Sequence, residues 1–418
     1  MALATGDGER FSLADLHPPG VAEAIKFRLV DRLIPGAFSL LQRVRPVARV
    51  PFTQWFFVTG FDANQEVFSR PGDFVTPYES KCEVLGWRDF MLALPDGERY
   101  RHILEQTRSL WRAGDLDQVR AITRNAARVA INDAGSDSFD FIQNYSVRAA
   151  LAVVEEYYGV PLPQLHQPFF DGVLFGSGFV FGLPNPSPEK ERMAQKAMRE
   201  VWPVIDDAMA AQRAHPREDT VLGRYFADPE LQAQFSTADM RSAIMAMIGG
   251  FLPTNTNGNG RILETLFRIA PAMADARAAA TAGDLARLLS VLHEAMRLKY
   301  ILPMLWRRAT KDTVLGVGTD REIPVPAGST IVLSNQVAMK DRRRIPNPER
   351  YDPDRSRHQY MLYGHDFHYC VGAAINDVML EELFGALLTQ DVARTGSTRW
   401  VGMYPWQMPI RIGAKDNS

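Results

Sequence analysis

One segment, Tyr363-Gly-His-Asp-Phe-His-Tyr-Cys-Val-Gly372, constrains this 418-residue chain more than any other. It sets a single cysteine, Cys370, between a loop of turn-forming residues and a run with helical periodicity. At the start of a helix, free backbone N–H groups and the positive end of the dipole favour a thiolate. A thiolate is a strong donor to iron and serves as the proximal ligand of a haem. Gly372 lets the backbone pass close to a flat ring. His368, two residues before the sulfur, is placed to pair with a carboxylate at the ring edge. The bland alternative is a buried, inert cysteine.

Composition narrows the setting. The other cysteine is Cys82, so no disulfide framework is possible, and two cysteines in so long a chain fit a reducing cytoplasm. Forty-seven basic against 49 acidic residues give a net charge of -2, which predicts no nucleic-acid or anionic-membrane partner. The N-terminal run MALATGDGERFSLADLHPPG lacks the basic start and apolar core of a signal peptide. No uninterrupted apolar stretch reaches the length of a membrane span, so no membrane anchor is expected.

Periodicity makes the chain mainly helical with small β-sheets. An amphipathic stretch runs from Val21 to Val50, and an aromatic, β-branched strand covers Trp55 to Thr59. Helices are expected over Asp62 to Phe68, Arg99 to Asp133 and Tyr145 to Tyr158. The segment Leu174 to Pro186 is apolar and glycine-rich, which reads either as a covered core loop or as a mobile lid over a pocket. Ser236 offers an N-cap for a long helix reaching about Ala270, and another helix covers Asp284 to Lys299. Short β-type runs alternate with turns from Arg308 to Ser334, and a last helix follows Cys370.

The cysteine segment resembles the loop of the cytochrome P450 family, aromatic-Gly-x-Gly-x-His/Arg-x-Cys-x-Gly. Tyr363, Gly364, His368, Cys370 and Gly372 match; Asp366 stands where the family has a second glycine, and Tyr363 where it usually has phenylalanine. Four further segments follow the family's order. Glu294-Ala-Met-Arg297 resembles its Glu-x-x-Arg motif, with both side chains on one helix face. Pro348 to Arg355 resembles its meander, and Arg307 stands in a strand resembling the one whose arginine grips a haem propionate. Asp96-Gly-Glu-Arg-Tyr-Arg101 resembles the helix that supplies another propionate arginine, although Gly97 replaces a histidine common in bacterial members. The resemblance implies one cytochrome P450 domain over residues 1–418, a haem b ligated by Cys370, and Arg99, Arg101, Arg307 and His368 around that haem. It also implies that Arg350 completes a buried triad with Glu294 and Arg297.

The central helix departs from the family. Most members carry Ala-Gly-x-Asp/Glu-Thr there, because splitting dioxygen requires protons that a carboxyl and a hydroxyl can relay. Aligned on Asn255-Thr-Asn-Gly-Asn-Gly260, the chain puts Phe251 in the acid's place and Leu252 in the alcohol's. A slipped register brings Thr254 or Thr256 to the alcohol's place, but no Asp or Glu occurs from Met240 to Leu263. Pro253 has no N–H, so the carbonyl of Gly249 loses its helical partner, and the helix is expected to kink or open. Asn255 lies one turn beyond Leu252 on nearly the same face, either as a ligand to a peroxide oxygen or as a structural amide.

These residues favour a haem-thiolate oxidoreductase that uses peroxide or an organic hydroperoxide. The alternatives are an ordinary dioxygen-dependent monooxygenase fed by a ferredoxin or other electron carrier, and a haem protein without turnover. By resemblance the pocket is lined by Trp87, Phe90, Phe179, Phe181, Phe251, Leu252, Leu302 and Met304, which suits a small hydrophobic substrate. Lys81 and Arg88 read as solvated surface residues, with carboxylate binding at the pocket mouth as the other option. The run Arg342-Arg-Arg344 reads as a solvated face or as a docking patch for an acidic electron carrier. A cytoplasmic monomer is expected.

Overall fold

Apolar residues recurring every three or four positions make most of the chain helical, and helices surround the longest of them, Thr237–Arg268. The computed structural model describes residues 10–16, 25, 29–134, 139–302, 304–317 and 322–413. The beginning of the amphipathic stretch expected from Val21 lies largely outside those residues, and its end forms the helix Ile34–Val44.

Helix starts follow their caps. Ser236 accepts a hydrogen bond from the N–H of Asp239 and opens the central helix, and Asp284 accepts from the N–H of Arg287 and opens Leu285–Leu298. The stretch expected as one helix from Arg99 is two, Glu98–Ser109 and Asp115–Asp133. The helix expected from Tyr145 begins at Phe141 and contains the wide turns Phe141–Val147 and Val154–Tyr158.

A five-stranded sheet stands beside the helices, in the order Val47–Arg49, Trp55–Val58, Thr330–Leu333, Leu305–Ala309, Phe74–Val75. Trp55–Val58 runs parallel to Thr330–Leu333, and the other pairs are antiparallel. The register sets Arg307 opposite Ile331 and buries the arginine between sheet and helices. Among the described residues no helix is long and apolar enough to cross a membrane.

Tertiary packing alters two expectations. Most of the glycine-rich segment is not a loop: residues 174–181 form the second half of a buried helix, Gln167–Phe181, and only residues 182–186 lie outside it. A Cβ on Gly172 would come within 2.7 Å of the Ala197 carbonyl, so the residue lets this helix lie directly against Pro188–Ala214. The close packing of the two helices outweighs the roughly 1 kcal/mol by which glycine disfavours a helix. The central helix, in turn, passes through Pro253 without a break. The carbonyl of Gly249, deprived of its helical donor by Pro253, accepts instead from the Ser177 hydroxyl at 2.7 Å. A side chain of the glycine-rich helix thus heals the defect in the central one.

Ser177→Ala should leave the buried Gly249 carbonyl without a donor and lower stability by about 1–3 kcal/mol. Urea unfolding of the variant beside the parent protein measures it.

Candidate active site

The site rests on a buried carboxylate. Glu294 and Arg297 face the same side of their helix and both are fully buried. The Arg297 Nε and Nη2 each donate to a Glu294 oxygen at 2.7 Å. Glu294 also accepts from the N–H of Asp352 at 3.1 Å, the Arg355 Nε at 3.3 Å and the Tyr360 hydroxyl at 3.1 Å. Arg297 donates onward to the Met339 carbonyl at 2.9 Å. The third member of the triad is therefore Arg355, not Arg350. Arg350 contributes its backbone carbonyl, which accepts from Arg355 and Arg297. Both arginines belong to the meander, and its turn decides which guanidinium points inward.

Above this platform runs the cysteine loop, whose backbone turns left-handed at Gly364, Asp366 and His368. The φ of +49° at Asp366 explains why a glycine suits that position and why aspartate, among the residues that best tolerate this region, can replace it. Tyr363, where phenylalanine is usual, donates its hydroxyl to Asp377 and accepts from the Asn376 amide at 2.7 Å; both partners lie on the helix after the cysteine, Ala373–Leu388. His293 joins Asp377 at 2.8 Å from the Glu294 helix, so the loop is tied to two helices at once. Cys370 borders a cavity of about 630 Å³ shared with Tyr100, Arg108 and His368. Cys370 is exposed at the mouth of this cavity, yet the protein mass around its sulfur holds the thiol above its ordinary range, while the Gly372 N–H pulls it down and Asp377 adds to the rise. Cys82 is buried on a different helix and has no part in this loop.

Three groups near the loop are arranged for an anion. Arg307 is buried and donates to the Trp306 carbonyl; among the described residues no carboxylate reaches it. Burial holds its pKa below the usual arginine value. His368 has its Nε2 buried without a partner, and burial together with the nearby Arg307 charge pushes its imidazole down to about 3. Tyr78, which no sequence motif singles out, lies beside Arg307 with a buried hydroxyl lacking a hydrogen-bond partner. Such unpaired donors around one spot are costly unless an anion completes them. They fit the carboxylates at the edge of a haem, so Cys370, Arg307, His368 and Tyr78 are the residues that would hold one. Arg99 and Arg101 are not with them: Arg99 is exposed and pairs with Asp89 and Asp239, and Arg101 pairs with Asp96 at 2.9 Å. The acidic neighbours on the surface capture both. The residue of that helix that meets the loop is Tyr100, whose ring lies 5.2 Å from that of His368.

The central helix turns an apolar face to the site. Leu252 is inaccessible, and Phe251 packs against Tyr158 with ring centroids 5.5 Å apart. The Thr254 and Thr256 hydroxyls donate back to Gly250 and Leu252 within the helix. Of the asparagines, Asn257 donates to the Ile301 carbonyl and Asn259 to Ser146, both at 2.9 Å. Asn255 differs: its Nδ2 donates to the Phe251 carbonyl at 3.0 Å, but its Oδ1 is buried and unpaired. The free atom is thus an acceptor. The expected lining residues Trp87, Phe90, Phe179, Phe181, Leu302 and Met304 all belong to the same apolar core as Phe251 and Leu252. The basic run at 342–344 is largely neutralised, with Arg343 on Asp341 and Arg344 on Asp62.

Glu294→Ala should strand the Arg297 charge in the core, which costs about 3–5 kcal/mol. Thermal unfolding and the haem-to-protein ratio after purification should both fall, while Arg350→Ala, which keeps the backbone carbonyl, leaves both near normal.

Known proteins place this geometry. The family model described as Cytochrome P450 matches residues 278–389. The chain is 22% identical over 378 residues to the mycinamicin IV hydroxylase/epoxidase of Micromonospora griseorubida, covering 85% of this chain and 87% of that one. It is 30% identical over 188 residues to a bifunctional dioxygenase–epoxy alcohol synthase of Fusarium oxysporum, covering 43% of this chain and 15% of that one. Its fold matches the ligand-free structure of cytochrome P450 TbtJ1 with a TM-score of 0.74 at 20% identity, over 91% of this chain and 97% of that one. With the cysteine loop, the Glu–Arg platform and the helical fold in one arrangement, the chain belongs to the cytochrome P450 family and is an oxidoreductase of the cytochrome P450 type.

Proposed function

We propose that residues 1–418 act as one haem-thiolate unit that transfers an oxygen atom to a small, apolar organic substrate, by hydroxylation or epoxidation. The observation that carries this reading is the cysteine loop, tied to a buried carboxylate platform and with His368 beside a buried arginine that no carboxylate among the described residues reaches. The names of relatives such as the mycinamicin IV hydroxylase/epoxidase support the reaction class. A haem held by the Cys370 sulfur would supply the iron at which oxygen is activated. The cofactor is haem b, because the second cysteine, Cys82, is buried away from the loop and offers no covalent attachment. Arg307, His368 and Tyr78 would hold its carboxylates, and Phe251, Leu252, Trp87 and Phe90 would keep bulk water from the substrate side.

A second reading concerns the oxidant, and the central helix favours it. Neither Phe251 nor Leu252 carries a proton, and the Thr254 and Thr256 hydroxyls are engaged within their own helix. A peroxide or organic hydroperoxide arrives already reduced by two electrons and needs fewer delivered protons and no ferredoxin. The unpaired Oδ1 of Asn255 is suited to accept the O–H of such a hydroperoxide. One relative is named as an epoxy alcohol synthase; an epoxy alcohol is an isomer of an unsaturated hydroperoxide, so its formation requires no external electrons. With dioxygen instead, a ferredoxin supplies the electrons and ordered water or the substrate the protons.

Two measurements test these readings. The reduced protein with carbon monoxide should show the red-shifted Soret band of thiolate ligation, and Cys370→Ala should lose it; a variant that kept the band would exclude Cys370 as the ligand. Turnover of one substrate on one sample should be faster with hydrogen peroxide or a fatty-acyl hydroperoxide than with dioxygen, ferredoxin and reductase. Asn255→Ala should slow the peroxide reaction by about ten- to a hundredfold, the scale of one hydrogen bond to a polarised group. Well-coupled turnover from dioxygen, indifferent to Asn255, would return the chain to ordinary monooxygenation.

A further inference from the structure

Two tyrosines of the cysteine loop meet in space. The rings of Tyr363 and Tyr369 stand edge to face with centroids 6.4 Å apart. The Cys370 N–H donates to the Tyr363 carbonyl at 3.0 Å, and Tyr369 is the residue directly before the sulfur. Tyr369 is 52% exposed and borders both the cavity of Cys370 and a second cavity of about 570 Å³. Tyr363 is half-buried and stands where the cytochrome P450 family usually has phenylalanine. Two oxidisable rings thus lead from the ligand position to the surface, and the inner one is a departure from the family.

A phenol gives up an electron readily only where its proton has an acceptor, because the oxidised phenol is a strong acid. Tyr363 has that acceptor. The Asn376 amide donates to its oxygen at 2.7 Å, which leaves the O–H for the Asp377 carboxylate. Asp377 is partly exposed, and its ion-pair partner among the described residues is His293 at 2.8 Å. The other tyrosines around the loop are placed differently. Tyr360 also meets a carboxylate, but Arg297 and Arg355 already hold Glu294, so that oxygen is a poor base. Tyr300 donates to the Leu362 carbonyl, which does not take a proton.

We propose that Tyr363 and Tyr369 form a one-electron outlet from the haem-thiolate site to the surface, which gives the protein a second activity, the reduction of peroxide by small phenols. This rests on the reading of Cys370 as the ligand of a haem that reacts with peroxide. Tyr363 gives an electron to the haem oxidised by peroxide; its O–H bond breaks and the proton passes to Asp377. Tyr369 then gives an electron to Tyr363, which takes its proton back from Asp377, while the Tyr369 proton goes to water. A phenol that reaches the exposed Tyr369 ring restores it with the hydrogen atom of its own O–H and leaves as a phenoxyl radical. After a second passage, one hydrogen peroxide and two phenols have become two waters and two phenoxyl radicals. When no organic substrate takes the oxygen, the outlet drains oxidising power that otherwise falls on the haem and the Cys370 sulfur.

The test mixes the haem-loaded protein with hydrogen peroxide in the absence of an organic substrate, with hydroquinone as the reductant. Electron paramagnetic resonance of rapidly frozen samples and bleaching of the Soret band are read in parallel. The parent protein should form a tyrosyl radical, recognised by the narrowing of its signal when the protein carries ring-deuterated tyrosine. Tyr363→Phe, which restores the residue usual in the family, should lose that radical and bleach faster, and hydroquinone should no longer protect it. Tyr369→Phe should keep the radical on Tyr363 but lose its rapid quenching by hydroquinone, with haem content and the carbon monoxide band as in the parent. A radical undiminished in Tyr363→Phe, or quenched equally fast in Tyr369→Phe, overturns the proposal. If Tyr363→Phe fails to load haem, the quenching in Tyr369→Phe decides alone. A parent protein with the thiolate band but no radical removes this proposal and leaves the oxygen-transfer reading standing, whereas the lack of a thiolate band removes both.

Discussion

Everything on the cysteine side hangs from the bidentate contact between Glu294 and Arg297. Two fully buried charges are tolerable only when every lone pair and donor is matched, and here the matching comes from distant parts of the chain. The Asp352 amide, Arg355 and Tyr360 converge on the carboxylate from the meander, and Met339 and Arg350 offer carbonyls to the guanidinium. Because Tyr360 lies just ahead of the cysteine loop, the same carboxylate that holds the helix also sets where the loop starts. A second tie, from Tyr363 and His293 to Asp377, sets where it ends. The sulfur is thus positioned by two polar anchors rather than by hydrophobic packing, which has no directional preference.

The opposite side is built on a different principle. The central helix is buried over most of its length and compensates its own irregularities locally. Thr254, Thr256 and Thr265 return their hydroxyls to carbonyls one turn back, Asn257 and Asn259 bind neighbouring segments, and Ser177 supplies the donor that Pro253 lacks. Polar side chains that would otherwise stand ready for proton transfer are engaged in holding the helix together. Asn255 keeps an unpaired atom, and that atom accepts rather than donates. The helix is therefore a poor proton relay for two reasons: it carries no acid between Met240 and Leu263, and its alcohols there are occupied.

Much of this was legible in the amino-acid order. The helix starts at Ser236 and Asp284, the strand at Trp55, the cysteine before its helix and the absence of an acid from Met240 to Leu263 are local properties, carried by caps, periodicity and residue type. Local chemistry decides them because a cap or an alternation acts over a few residues, and no remote contact outweighed it in these places.

Other features depend on which remote atoms meet. The resemblance points to Arg350 as the partner of Glu294, and the path of the meander turns Arg355 inward instead. Arg99 and Arg101 are drawn to surface carboxylates from other turns, one of them Asp239, which is remote in sequence. Gly176 reads as a loop residue until the helix of residues 188–214 is set against it, and Lys81 reads as a surface residue until the end of the glycine-rich helix covers it. The order of residues alone marks Cys370 as the candidate ligand and determines the elements that carry it. Which charge is buried, which helix survives its glycines and proline, and which donors remain unpaired were decided by tertiary structure, because desolvation and close packing exist only once distant segments have excluded water from between them.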